Sequence, residues 1–346
     1  MSAQTTSDVP VTPLDGVDLL LADLDGVVYR GSLPIPHAVE SLNRAAGHAR
    51  VAYITNNASR TSASVADHLT SLGLTVDANE VVTSPQAAVR LLADLVAVGS
   101  TVLVVGGEGI RDELAKAGFH ATDSARDHPA AVIQGFAPDV AWTQLAEAAF
   151  ALQPGASGAD GIPWVATNTD WTLPTERGLA PGNGTLVSAV HTAVGRLPVV
   201  AGKPEAAIFH EAVSRFGGVK PLFIGDRLDT DILGANRAGL DSVLVLTGVD
   251  QAKQLLAAAA DSRPTFLLDD LRQLHEPYPA TVSSTDPASG DQLFTVRDAI
   301  IRKAGNVITV VQSGSRSIDL LRAGCTAIWD SGQPIYALDV PAELYL

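Results

Sequence analysis

The chain has 346 residues, of which 46% are hydrophobic and 18% charged, a composition that supplies a real core and excludes disorder of the whole. Lysine and arginine number 23 against 38 aspartates and glutamates, for a net charge of -15; this excludes a general nucleic-acid or anionic-membrane binder, whose partners are held by basic surface. The single cysteine, Cys325, excludes an internal disulfide and a cysteine zinc cluster, and fits a reducing, cytoplasmic setting.

Residues 1–16 show neither the basic region nor the apolar core of a signal peptide, and no later run reaches the ~18 consecutive apolar residues of a membrane span. At roughly 150 residues per domain, the length predicts two domains or slightly more. In chain order, VDLLLAD (17–23), RVAYITN (50–56), TVLVVGG (101–107), AAVIQGF (130–136), PWVATN (163–168), KPLFIGD (220–226) and DSVLVLTG (241–248) read as buried parallel strands. Each is too short for a helix, apolar without clean alternation, and bounded by Gly, Asp or Asn. Helix patterns lie between them, such as 36–47 and 84–99, the second with Ser84 as N-cap, Pro85 at the first helical position and Gly99 past the end. Strand then helix, repeated, predicts an α/β fold with parallel sheets. Residues 169–184, with two prolines and three glycines, read as a long irregular connection, and 276–292 as a linker. Beyond the linker the pattern suggests a hairpin, a helix and a strand.

In open parallel sheets ligands bind outside the carboxyl ends of the strands, so the polar residues that follow each strand carry the chemistry. They are Asp23 and Asp25 in DLDGVV, Thr55-Asn56-Asn57 in TNNAS, Lys203 in GKP, and Asp226 and Asp231 in GDRLDTD. Singly, each has an ordinary explanation as a turn, an Asx turn or a solvated lysine. A calcium loop at 226–231 fails, because Leu228 occupies the third position and no glycine follows at the sixth. Their conjunction, four signals in one order, is the informative observation.

That ordered set resembles the haloacid dehalogenase superfamily, and within it the NagD/p-nitrophenylphosphatase-like branch, over about residues 14–275. The resemblance implies a Rossmann-like core at 14–83 and 182–278, an inserted α/β cap at 84–181 with a PGNG-type return to the core, and a linker with a small α/β extension at 279–346. It implies a Mg²⁺-dependent phosphatase of small phosphate monoesters. Asp23 would be the nucleophile, forming an aspartyl phosphate, and Asp25 the general acid and base. The metal ligands would be Asp23, the Asp25 carbonyl and Asp226, with Asp231 orienting a metal-bound water. Thr55, Asn56, Asn57 and Lys203 would bind the phosphoryl group. These local cations answer the problem that a net charge of -15 sets for an anionic substrate. A homodimer through the cap is known in the family, and nucleic acid and membrane are not expected as partners.

In the cap-exit loop Thr172, Glu176 and Arg177 are the expected substrate contacts. This loop, TLPTERGLAPGNG, and the C-terminal extension resemble the glycerol-3-phosphate phosphatases of the branch, which makes glycerol 3-phosphate the expected substrate. Phosphoglycolate, pyridoxal phosphate, sugar phosphates and nucleotides are the alternatives, and a catalytically inactive scaffold is the alternative of another class. A rival motif lies in TVLVVGGEGIRDEL, where Gly107 and Gly109 begin a dinucleotide-like turn but Asp112 stands where its third glycine belongs. An acyl-CoA loop is likewise incomplete at 312–317. Cys325, in an expected helix-to-strand connection, reads as packed rather than reactive.

Overall fold

The computed structural model describes residues 11–153, 161–175 and 177–345. Its central sheet has six parallel strands in the order Phe266–Leu268, Asp241–Val245, Pro221–Gly225, Leu19–Ala22, Arg50–Thr55, Val81–Thr83. The first strand is buried at every position because both faces of the sheet are covered. Leu20 and Ala22 enter one core with Leu222, Ile224 and Val245, while Leu19 and Leu21 enter another with Ile54 and Phe223. Strand order reverses between Leu19–Ala22 and Pro221–Gly225, and such a switch point opens a crevice at the carboxyl ends. Asp23 and Asp226 follow directly there. The α/β reading with parallel sheets holds, and all seven expected strands are present.

A second parallel sheet runs Val199–Val200, Trp164–Ala166, Ala131–Gln134, Thr101–Val105, His120–Thr122. Helices Trp142–Ala151 and Asn183–Val194 cover one face, burying Val187 and Val190 against Leu103, Val132 and Trp164. Its other face joins the core of the central sheet through Val102, Val104, Ile133 and Val165. This layer therefore continues to Val200, past the boundary expected at 181. The carboxyl ends of its strands are turned toward the motif loop at 57–60, as the contacts of the glycine turn described below demonstrate.

The last layer is an antiparallel sheet of Thr281–Thr285, Gln292–Val296, Ala299–Ala304 and Val307–Gln312. Helix Ser317–Trp329 packs on one face, so inward residues such as Phe294, Val296 and Ile301 are buried and their neighbours are not. The strand Thr281–Thr285 corrects the linker reading. Its polarity reflects an exposed edge, and its β-branched residues suit a strand. The supposed irregular connection contains a hairpin, Thr172–Thr175 paired with Gly178–Pro181. Two prolines misled the reading, since an isolated ribbon leaves backbone positions that need no donor. Cys325 lies inside the last helix and is buried, not in a connection. Helix Ser84–Leu95 is capped by Thr83, one residue before the expected Ser84, and ends well before Gly99. Among the described residues no helix is long and apolar enough to cross a membrane.

Candidate active site

Four strand ends build the site. Asp23 leaves the first strand with its amide donating to the Ile224 carbonyl at 2.8 Å, which ties it to the neighbouring strand. Lys203 lies in the segment that follows Val199–Val200, and its bond to Pro204 is cis. Its ammonium is buried and donates to Asp23 Oδ1 and to Asp231 Oδ1, each at 2.6 Å. Asp231 sits in a wide helical turn, Leu228–Ile232, that follows Pro221–Gly225. Its Oδ2 accepts from the amides of Asp226 and Arg227 at 3.1 and 3.2 Å. Both Asp231 oxygens are thus engaged in holding other parts of the site.

Asp226 is 1% exposed. Its Oδ2 accepts from the Val249 amide at 2.7 Å, whereas its Oδ1 is buried and has no hydrogen-bond partner among the described residues. Gly26 and Gly248 wall this carboxylate. A Cβ on Gly26 would lie 2.2 Å from Asp226 Oδ2, and one on Gly248 1.8 Å from it, so neither position has room for a side chain. Oxygens of Asp23, Asp226 and Asp231 lie within 4.8 Å of one another. Three buried carboxylates stand together with one lysine, which pairs with only two of them and leaves the cluster short of positive charge. A hard divalent cation meets both needs, since it takes oxygen ligands and would occupy the orphaned Asp226 Oδ1. The residues present therefore fit Mg²⁺. The Asp25 carbonyl accepts no hydrogen bond among the described residues and is available to the same ion.

The titration of the cluster follows from its burial. Asp23 is pushed up to about 7, first by burial and then by Asp231 and Asp25, against the pull of Lys203. An undivided ion pair would hold Asp23 low, but Lys203 also serves Asp231. Asp226 is raised well above the usual carboxylate range by burial and by Asp231 and Asp23. Burial works against the charged lysine, yet Asp23 and Asp231 outweigh it and raise Lys203. Asp25 stands exposed at the rim, but the protein around its carboxylate still raises it, with Lys203 and Arg60 opposing and Asp170 assisting.

The remaining expected residues divide. Thr55 is buried at its strand end, and its hydroxyl accepts from the Asn57 amide at 3.1 Å. Asn57 uses its side-chain oxygen on the amide and hydroxyl of Ser59, at 2.9 and 2.7 Å. Asn56 departs from the expected phosphoryl contact. Its amide nitrogen donates to the Lys203 carbonyl at 3.1 Å and to Asp170, and its oxygen accepts from the Lys203 amide at 2.9 Å. Asn56 is spent on positioning Lys203. Thr172 opens the hairpin and Arg177 lies exposed at its tip, where no hydrogen bond or ion pair among the described residues joins its guanidinium to the carboxylate cluster. Glu176 lies outside the described residues.

Asp170 was missed by the sequence reading. It belongs to the second layer, just beyond Trp164–Ala166, and accepts from Asn56 Nδ2 at 3.2 and 3.3 Å. Burial raises its carboxyl, while Arg227 and Lys203 pull it down. The signal was available, because Thr167-Asn168-Thr169-Asp170 is a polar run at a strand end like the others. The glycine turn of the rival motif is explained without a nucleotide. A Cβ on Gly109 would lie 2.5 Å from the Arg60 carbonyl oxygen, and one on Gly107 3.2 Å from the Ser59 backbone. The glycines let the second layer meet the motif loop backbone to backbone. Glu108 in the first turn of that helix would also oppose a pyrophosphate.

Comparison with known proteins places the chain among hydrolases. The family pattern of haloacid dehalogenase-like hydrolases matches residues 20–120, and a second pattern of the same kind matches 200–274. A D-glycerol 3-phosphate phosphatase of Mycobacterium tuberculosis is 43% identical over 314 residues, 91% of this chain and 86% of that protein. A 5'-nucleotidase of Bacillus subtilis is 34% identical over 257 residues, 73% of this chain and 95% of its own. Among solved structures, a glycerol phosphate phosphatase of Mycobacterium tuberculosis in complex with magnesium superposes with a TM-score of 0.83 at 41% identity, covering 96% of each chain. A p-nitrophenyl phosphatase from Archaeoglobus fulgidus reaches 0.66 at 28% identity, over 75% of this chain and 98% of that one.

Proposed function

This chain belongs to the haloacid dehalogenase-like hydrolases, and from that premise we propose that it is a Mg²⁺-dependent phosphatase that releases phosphate from glycerol 3-phosphate through an aspartyl phosphate on Asp23. The observation that carries the reading is the buried Lys203 ammonium held between Asp23 and Asp231 beside the orphaned Asp226 oxygen. Asp23, Asp226 and the Asp25 carbonyl would hold the ion, which when bound neutralises charge on the transferring phosphoryl group. An Asp23 oxygen attacks phosphorus, the bond from phosphorus to the ester oxygen breaks, and Asp25 gives that oxygen its proton. Asp25 then takes a proton from water, whose oxygen attacks the same phosphorus and breaks the bond to Asp23. Phosphate leaves and both aspartates are restored. The raised pKa of Asp25 suits a group that must begin as an acid. Lys203 stays charged throughout and keeps Asp23 oriented.

The second layer is assigned as the cap in this reading. It begins near 84 and ends near 200, because Asn183–Val194 and Val199–Val200 pack with its sheet; the core comprises 14–83 and the segment from about 201 to 278. Asp170 supports a neutral polyol as leaving group. A carboxylate held beside Asn56, with its charge felt at Asp25, accepts hydrogen bonds from hydroxyls and repels an anionic leaving group such as glycolate. Thr172 and Arg177 on the hairpin are assigned as outer substrate contacts, and the site of action as cytoplasmic. The test is a panel of small phosphate esters assayed with Mg²⁺ and with EDTA. Glycerol 3-phosphate should give the highest kcat/KM, and chelation should stop turnover. A tenfold or greater preference for phosphoglycolate, pyridoxal phosphate, a sugar phosphate or a nucleotide would overturn the substrate and leave the class standing. Absence of metal-dependent release from every ester would favour the inactive scaffold.

A further inference from the structure

We propose that the C-terminal unit, residues 281–345, is a buttress for the metal-binding corner of the site and acts through residues 246–256. This rests on the reading of Asp226 as a metal ligand. The segment 246–251 holds both motif loops at once. The Val249 amide donates to Asp226 Oδ2 at 2.7 Å, and the Asp250 amide to the Asp226 carbonyl at 3.1 Å. Asp250 Oδ2 accepts from the Leu228 amide at 2.6 Å, at the start of the turn that carries Asp231. On the other side Thr247 Oγ1 donates to the Gly26 carbonyl at 2.7 Å, next to Asp25. Gln251 closes the segment by donating to the Leu246 and Gly248 carbonyls at 3.1 and 3.0 Å. The orientation of Asp226, whose Oδ1 has no partner among the described residues, therefore depends on where this segment sits.

What fixes the segment is the helix it leads into, Ala252–Leu256. Five residues make little more than one helical turn, which is not stable by itself. Ala252, Leu255 and Leu256 are all buried, and the elements that cover them are helix Ser317–Trp329 and the terminal turn Ala342–Tyr345. Leu344, 2% exposed, is the buried residue of that turn and lies over Gly324, where an added Cβ would meet its side chain at 2.8 Å. The unit that supplies this cover is itself anchored to the central sheet. Arg322 donates to the Leu267 carbonyl at 3.2 and 2.6 Å and to Asp319 at 2.7 Å. A continuous packed path thus runs from the far end of the chain to the carboxylate that is to hold the ion.

The experiment is a calorimetric titration of Mg²⁺ into the full chain, wild type beside Leu344→Ala, the milder Leu344→Val, and Val311→Ala on the exposed face of the terminal sheet. Leu344→Ala is expected to weaken Mg²⁺ binding roughly three- to tenfold, at or below the effect of groups that hold metal ligands directly. Leu344→Val should do so to a smaller degree, and it carries the test if the alanine variant does not fold. Val311→Ala should match wild type. Half-saturating Mg²⁺ in the phosphatase assay should rise in step, with activity restored at saturation. Leu344 variants that melt earlier yet bind Mg²⁺ as wild type does would overturn the inference and reduce the unit to a stabilising add-on. A wild-type chain that takes up no Mg²⁺ would overturn the metal reading itself.

Discussion

Lys203 is one ammonium shared by two carboxylates in a space with a third, and most of the residue-scale behaviour of this protein follows from that ratio. Asp23→Asn removes the attacking oxygen while keeping the shape, so turnover should fall by roughly 10³-fold or more with a native circular-dichroism spectrum. The same residue sets a pH dependence. Its pKa rises from 3.8 to about 7 on folding, so between those values the folded state binds more protons than the unfolded one. Stability of the metal-free protein should therefore fall as pH rises through that window, Asp226 adding in the same direction and Lys203 changing nothing below its own much higher range. Scanning calorimetry in EDTA from pH 4.5 to 8 should show this decline, with a shallower slope in Asp23→Asn. Equal slopes would place the effect elsewhere. Asp25→Asn separates proton transfer from metal support. Loss should be greater for alkyl phosphates, whose leaving groups need a proton, than for p-nitrophenyl phosphate, and equal losses would assign Asp25 a positioning role only.

At the scale of elements, short strands deliver the chemistry and their exits aim it. The wide turn Leu228–Ile232 folds Asp231 back toward Lys203, so that the carboxylate caps the amides of Asp226 and Arg227. Nothing in GDRLDTD announces that turn, because its shape is selected by contacts with the lysine and the following loop. Asn56 was legible as a strand-end residue but not in its role, since its partners Lys203 and Asp170 are distant in sequence. The glycine turn at 106–109 is the complementary case. A local pattern suggested a nucleotide, and only the approach of the Ser59–Arg60 backbone gives the glycines their reason. Gly109→Ala places a methyl 2.5 Å from a carbonyl oxygen, so it should destabilise the protein by about 1–3 kcal/mol in urea denaturation and raise KM by loosening the seam. A variant of wild-type stability and KM would show that the two layers do not need this contact.

For the molecule as a whole, three sheets are joined by buried contacts rather than by tethers alone. The core and the second layer share one apolar cluster, and the terminal sheet shares another with Leu228, Ile232 and Leu244 of the central layer. The second joint also contains charge. Asp319, fully buried, accepts from Arg322 at 2.7 Å and from Arg297 at 2.8 Å, and Arg322 lies over the Tyr278 ring with its carbon 4.4 Å from the centroid. Asp319→Ala would leave Arg322 buried without its counter-charge, at an expected cost of about 3–5 kcal/mol of stability, read by chemical denaturation. A loss below ~1 kcal/mol, the value of an exposed pair, would mean that the joint opens to water. That this unit packs so closely was not foreseen by the linker reading of 276–292, where exposed polar strand residues and loop residues look alike.

The sequence by itself determined the alternation of strands and helices, the parallel sheets and the placing of Asp23, Asp25 and Asp226 at strand exits, because a strand buried on both faces is an apolar run and its polar exit stands out against it; Lys203, after the partly exposed pair Val199–Val200, stands out only in conjunction with the other motifs. Tertiary structure decided the rest. The pairing of Asn56 with Lys203 and Asp170, and the packing of the terminal turn Ala342–Tyr345 on Ala252–Leu256, depend on atoms brought together from more than 50 residues apart. Periodicity reports on the face that an element buries; it contains no information about which distant element will cover that face, since hydrophobic burial is non-directional and many partners would satisfy it equally.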